Sequence, residues 1–130
     1  MGLNIQEKSS LIELIRILFQ MNNKTNLLFI CSRNQWRSPT GEQIWKNNPN
    51  YNAKSAGTSP NAKRTVSSTD IRWADIIFVM ESKHKNCIKA KFTRLLDYKT
   101  IHILDIPDEC KYMDSELISE LKLSVDPLLL

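Results

Sequence analysis

The sequence has no disulfide framework, no membrane-length apolar run, no strong charge excess and no internal repeat, and each absence narrows what it can be. Its three cysteines, Cys31, Cys87 and Cys110, form neither an even set nor a C-x-x-C pair. That argues against a stapled secreted scaffold and suggests no zinc site; the expectation for the chain is no metal and no cofactor. A reducing cytosol suits such thiols, and a cytoplasmic location follows as the expectation. The candidate membrane or targeting segment, "LIELIRILFQM" at 11–21, is short of a membrane span and interrupted by Glu13 and Arg16. It also lacks a small-residue cleavage site and reads as an amphipathic helix, with no membrane partner implied. A formal charge of +4 and a pI near 9.0 favour anionic ligands, yet 18 basic residues against 14 acidic ones is too mild an excess for nucleic acid. Phosphate in some form fits better.

What is present is the material of one soluble domain. The chain has 130 residues, 42% of them hydrophobic and 25% charged, enough for a single core and too little for two comfortable ones. After the first helix a polar stretch, "NNKTN" at 22–26, reads as a linker, and the domain proper begins near Asn26. From there extended and helical segments alternate. Extended runs are expected at 27–30, around 51–55, at 76–80 and at 100–104, and helices from Ser38 or Pro39, at 67–73, at 82–92 and from about Asp114. Short apolar runs without alternation are what strands buried on both faces look like. The pattern therefore predicts an α/β fold with a parallel sheet covered by helices on either side.

The chemistry concentrates in "LLFICSRNQWRSPTGEQIW" at 27–45, where an apolar strand ends on Cys31 and a helix follows. Proline suits a first helical turn, and Ser38 before it reads as a cap. Ligands of open α/β sheets bind at the carboxyl ends of strands, and a helix N-terminus offers unpaired N–H groups to an anion. Ser32, Arg33, Asn34, Gln35, Trp36 and Arg37 can thus wrap a phosphate-sized ligand. Cys31 lies beneath it as a candidate nucleophile, and the planar guanidinium of Arg37 can hold two oxygens at once. A cation at a helix N-terminus opposes the dipole and asks for an anion.

"CSRNQWRSP" resembles the phosphate-binding loop of the low-molecular-weight protein tyrosine phosphatases, and "SAGT" at 55–58, "ADIIFVMESKH" at 74–84 and "IPD" at 106–108 continue the resemblance in order. It implies a three-layer sandwich on a four-stranded parallel sheet, with the loop between the first strand and the helix after it. It divides the chain into a helical extension and linker at 1–25 and a phosphatase-like domain at 26–130. It implies hydrolysis of a phosphomonoester, on a protein or a small molecule, through a phosphocysteine on Cys31. Arg37 would bind the phosphoryl group and Ser38 would donate to the thiolate. Asn34 would hold the loop, and Asp108, ahead of Asp105, would serve as general acid and base. Backbone N–H groups of 32–37 would stabilise the phosphoryl oxygens. A monomer is expected.

The chain also departs from the family pattern. Ser32 and Arg33 stand where the family has an apolar residue and a glycine, and Arg33 could favour an acidic or multiply phosphorylated substrate. Trp36 replaces a second cysteine and stands either to stack on a leaving group or to pack on the domain. The cleft wall after "SAGT" is short, and "DECKY" lacks the family's proline and adjacent aromatic, with Tyr112 the aromatic nearby. A thiol-dependent arsenate reductase on the same fold, relaying through Cys87 and Cys110, and a non-catalytic phosphate-binding module are the rival readings. His84 and His102 read as structural or exposed, Trp45 and Trp73 as core, the basic run at 83–91 as a solvated face, and Gly57 as a turn residue. The first helix is read as a cover for an apolar patch, a partner site, or a dispensable extension with Met21 as the effective start.

Overall fold

The apolar runs of the sequence become four parallel strands in the computed structural model, which describes residues 2, 4–22 and 24–129, the side chains of 19–22 excepted. In chain order the elements are α1 (Ile5–Asn22), β1 (Thr25–Cys31), α2 (Arg37–Lys46), β2 (Tyr51–Gly57), α3 (Ser68–Trp73), β3 (Ile76–Val79), α4 (Ser82–Phe92), β4 (Thr100–Ile103) and α5 (Ser115–Val125). The strand order is β2-β1-β3-β4. β1 is thus paired on both sides, Cys31 with Gly57 of β2 and Ile30 with Val79 of β3.

The missing alternation in β1 has a direct cause. Leu27, Leu28, Phe29 and Ile30 are all fully buried because each face of the sheet carries its own core. Leu27 and Phe29 join Phe78, Met80 and Trp45 with Leu117, Leu121 and Val125 of α5, while Leu28 and Ile30 join Ile77, Val79, Ile71 and Ile88 under α3 and α4. Each such side chain contributes about 1.5–3 kcal/mol by leaving water. Phe29 stacks between Trp45 and Phe78, at centroid distances of 5.4 and 5.2 Å. Gly41 lets α2 settle on that stack, since a Cβ there would lie 2.6 Å from the Phe29 ring. The expected three-layer α/β sandwich is the observed one.

Several boundaries move. β2 runs on to Gly57 rather than ending at Ser55, so most of "SAGT" is strand. α2 begins at Arg37, with Trp36 at its N-cap position and no side-chain cap. The expected linker at 22–26 nearly vanishes, because α1 runs to Asn22 and β1 starts at Thr25, with Asn23 outside the described residues. α3, α4 and the start of α5 lie where their sequence signals put them, α3 and α5 capped by Ser67 and Asp114. Trp45 is core as read, whereas Trp73 is half-buried beneath the Lys54 ammonium, 4.4 Å from its centroid. α1 is longer than its apolar signal, and among its described side chains Leu11, Ile12, Leu14, Ile15, Ile17 and Leu18 are each about half exposed. Among the described residues no helix is long and apolar enough to cross a membrane. The reading of Met21 as a start rests on a residue whose side chain lies outside the description.

Candidate active site

The loop after β1 is shaped by backbone pinning before any side chain acts. The amides of Thr58, Ser59 and Lys63 donate to the carbonyls of Cys31, Ser32 and Arg33 at 3.0, 2.9 and 3.0 Å. With these carbonyls drawn toward the 58–63 segment, the peptide N–H groups are left for the other side, the arrangement an anion nest requires. Gly57 is not the turn glycine expected from its sequence. Its φ is not positive, and its need is one of space, since a Cβ there would lie 2.5 Å from the Ser32 carbonyl oxygen and from the Ala62 Cβ. Asn34 supplies the left-handed residue of the loop, with φ of 56°, a conformation asparagine tolerates better than most. Its side-chain amide donates to Ser38 Oγ at 3.0 Å and to Ser55 Oγ at 2.9 Å. These two bonds tie Asn34 to α2 and β2.

Cys31 closes β1 at 3% exposure, and its sulfur lies 2.9 Å from Ser38 Oγ. Ser38 is the second residue of α2, not its cap, and its hydroxyl is spent on Cys31, Asn34 and the Ala56 carbonyl. Arg37 is 2% exposed yet charged, and three acceptors account for it. Nη1 pairs with the Glu81 carboxylate and donates to the Ile106 carbonyl at 2.9 Å, while Nε faces Asp108 Oδ1 at 3.6 Å. A narrow cavity is lined by Cys31, Arg33, Gln35, Trp36, Arg37 and Asp108. The fold therefore gathers the expected nucleophile, guanidinium and acid around one space at the carboxyl end of the central strand. Asp105 lies elsewhere, beside Glu81, Ser82, Lys83 and Pro107. Trp36 is 37% exposed and faces the site rather than the core. With Gln35 it also borders an adjoining groove of about 360 Å³, lined further by Pro39, Glu42, Lys63 and Tyr112.

Two contributors are not read from the sequence. Glu81, at the end of β3, holds Arg37, and the hydrogen bond from that guanidinium keeps its carboxyl below the ordinary range. A buried arginine demands such a partner, and the strand end beside β1 is the place to look. His84 lies within the basic run expected to be solvated, yet it is 1% exposed and its Nε2 sits 2.8 Å from Ser32 Oγ. Burial, then the nearby Arg37 charge, lowers its pKa to about 4 from 6.5. A neutral native histidine makes stability pH-dependent. Between 6.5 and about 4 the unfolded chain binds a proton that the native chain refuses, so stability rises with pH across that window and falls on acidification. Glu81 adds a loss of the same sign below its ordinary value of 4.5. The urea midpoint is accordingly expected to drop from neutral pH toward pH 4, and His84→Gln to flatten the upper part of that slope.

No protein-family model and no curated protein matches the chain. Solved structures do. The tyrosine phosphatase Wzb from Escherichia coli K30, in complex with phosphate, superposes with a TM-score of 0.66 at 20% identity, over 82% of this chain and 96% of that one. The YwlE arginine phosphatase from Geobacillus stearothermophilus gives 0.61 at 21% identity, over 81% and 93%. SP-PTP, the low molecular weight protein tyrosine phosphatase from Streptococcus pyogenes, gives 0.63 at 17% identity, over 80% and 93%. The likeness is one of fold, and it is the fold that the loop and strand motifs implied.

Proposed function

We propose that the protein is a cysteine-dependent phosphatase that hydrolyses a phosphomonoester through a phosphocysteine. The observation that carries this reading is the grouping of Cys31, Ser38, Arg37 and Asp108 about one cavity at a helix N-terminus. In the first step the Cys31 sulfur bonds to phosphorus as the ester P–O bond breaks, and Asp108 gives its proton to the leaving oxygen. In the second, water attacks phosphorus, Asp108 takes its proton, and the S–P bond breaks with Ser38 donating to the departing thiolate. Arg37 and the loop N–H groups carry the oxygens throughout. A further solved neighbour, a mutant of the YwlE arginine phosphatase, has a phosphorylated active-site serine, which supports phosphoryl transfer to an active-site side chain on this fold.

The substrate class is a phosphorylated protein side chain or a small phosphomonoester, its leaving group lying over Trp36 toward the groove that Tyr112 and Lys63 border. Both tyrosine and arginine phosphatases occur among the neighbours on this fold. The enzyme acts as a cytoplasmic monomer without metal, cofactor, nucleic-acid or membrane partner. The arsenate relay is disfavoured because Cys87 lies on α4 and Cys110 in the segment before α5, in different elements rather than on one.

Hydrolysis of para-nitrophenyl phosphate, with phosphotyrosine and phosphoarginine alongside and arsenate reduction in parallel, tests the reading. Phosphate release that depends on Cys31 and not on metal is the expected result, and oxyanion binding without turnover would replace the enzyme by a binding module. Asp108→Ala should slow poor leaving groups by roughly 10²–10⁴-fold and good ones far less, because only the former need the proton. The same pattern from Asp105→Ala instead would reassign the acid. The catalytic unit is the 26–130 domain together with Thr25, where β1 begins, and what precedes it is an extension. Removing residues 1–20 is then expected to leave the thermal midpoint and the oligomeric state unchanged, and a change in either would give α1 a docking role.

A further inference from the structure

We propose that His84 is a positioning residue for the reaction above, its ring bridging the Ser32 side chain, beside the nucleophile, to the backbone N–H of Glu81, the residue whose carboxylate pairs with Arg37. The inference rests on the phosphatase reading for its kinetics but on geometry for its substance. The Glu81 N–H donates to His84 Nδ1 at 3.0 Å, which leaves the ring proton on Nε2. Nε2–H must then donate to Ser32 Oγ, 2.8 Å away, and the serine acts as acceptor in this pair. A hydroxyl held as an acceptor still has its own proton, and among the described residues Ser32 Oγ has no second partner. His84 therefore fixes that rotor with its O–H directed elsewhere, available to an oxygen of a loop-bound anion or its water.

The bridge also ties the loop to the start of α4. Ser59 fastens Ser32 through the backbone from the β2 side, and His84 fastens its side chain from the α4 side. The same imidazole fixes the backbone of Glu81, from which the carboxylate that pairs with Arg37 extends. The nucleophile's neighbour and the phosphoryl-binding cation thus share one ring as a common reference. That ring is buried on the face of α4 that also buries Ile88, while Lys83 and Lys89 are exposed.

Three variants test this. His84→Leu removes both hydrogen bonds, His84→Gln retains a donor toward Ser32, and Ser32→Ala removes the acceptor without touching the core. His84→Leu is expected to lower kcat on the order of 10²-fold, the scale on which misplaced catalytic groups act, with KM little changed. His84→Gln should recover most of that loss. Ser32→Ala combined with His84→Leu should cost clearly less than the product of the two single effects, since both remove one interaction. A role confined to packing would give neither the rescue by Gln nor the coupling to Ser32. If His84→Leu unfolds cooperatively like the parent and keeps its kcat within about threefold, the proposal fails. If it does not fold, Ser32→Ala decides alone: an unchanged kcat overturns the proposal, and a fall of about tenfold or more supports it. Absence of Cys31-dependent turnover in the parent protein would overturn the phosphatase reading instead. Protection of Cys31 from alkylation by vanadate then becomes the readout. Half-protection should require about tenfold more vanadate in His84→Leu, and an unchanged requirement would sink the positioning role.

Discussion

Cys31→Ser is expected to abolish turnover, by on the order of 10⁶-fold, while leaving the thermal midpoint close to that of the parent. The substitution is near-isosteric at a buried site, and the Ser38 hydroxyl that lies 2.9 Å from the sulfur can accept or donate to an oxygen equally well. Under the phosphocysteine mechanism a serine hydroxyl here is a far weaker nucleophile than a thiolate and a poorer leaving group, so a phosphoserine that formed would not turn over. The measurement is single-turnover hydrolysis of para-nitrophenyl phosphate beside thermal unfolding. A rate within tenfold of the parent would remove Cys31 from the mechanism, whereas loss of rate with loss of fold would leave the assignment unsupported.

Arg37→Lys is expected to lower kcat/KM by roughly 10³-fold, the scale of losing a preorganised donor to a developing phosphoryl charge. Lysine keeps the charge but not the fork. In the native site that fork is divided, with Nη1 engaged by Glu81 and the Ile106 carbonyl and Nε by Asp108, so its plane is fixed before a ligand arrives. A lysine can still neutralise Glu81, and its stability should be close to the parent. Arg37→Met removes the charge as well and leaves Glu81, one-third exposed, facing a buried apolar chain. Removing one partner of a buried pair costs about 3–5 kcal/mol, and partial exposure of Glu81 puts this case at the lower end. Urea unfolding of the two variants separates binding from stability: lysine should lose rate and not midpoint, methionine both. Parent-like kcat/KM in Arg37→Lys would show that the guanidinium does not bind the phosphoryl group.

Much of this architecture is legible in the sequence because it rests on local periodicity. The runs around Phe29, Phe78 and His102 announce strands by composition, and the helix at 82–92 is marked along its whole length. The loop is legible because its chemistry is contiguous, from Cys31 to Pro39. Ser38 reads as a cap and is not one, because its side chain meets Cys31 seven positions back, a contact that only the curl of the loop creates. Gly57 reads as a turn residue and is not one, because its need for a bare Cα comes from the Ser32 carbonyl on another strand's loop. His84 is hidden among lysines, and its partner is 52 residues away. Such pairings are set by which elements the topology lays side by side, and no local pattern encodes them.

The segment that pins the loop has an evolutionary corollary. It contributes amides rather than side chains, through Thr58, Ser59 and Lys63, and it is itself tied back by Arg64 and Val66 to Gly57. Surface connections ordinarily tolerate insertion and deletion as freely as exchange. This one should accept most replacements at Asn61 and yet tolerate no change in its number of residues, because one extra peptide would move the amides off the carbonyls they hold. Drift in composition with invariant length is the mark expected of a connection whose function resides in its backbone.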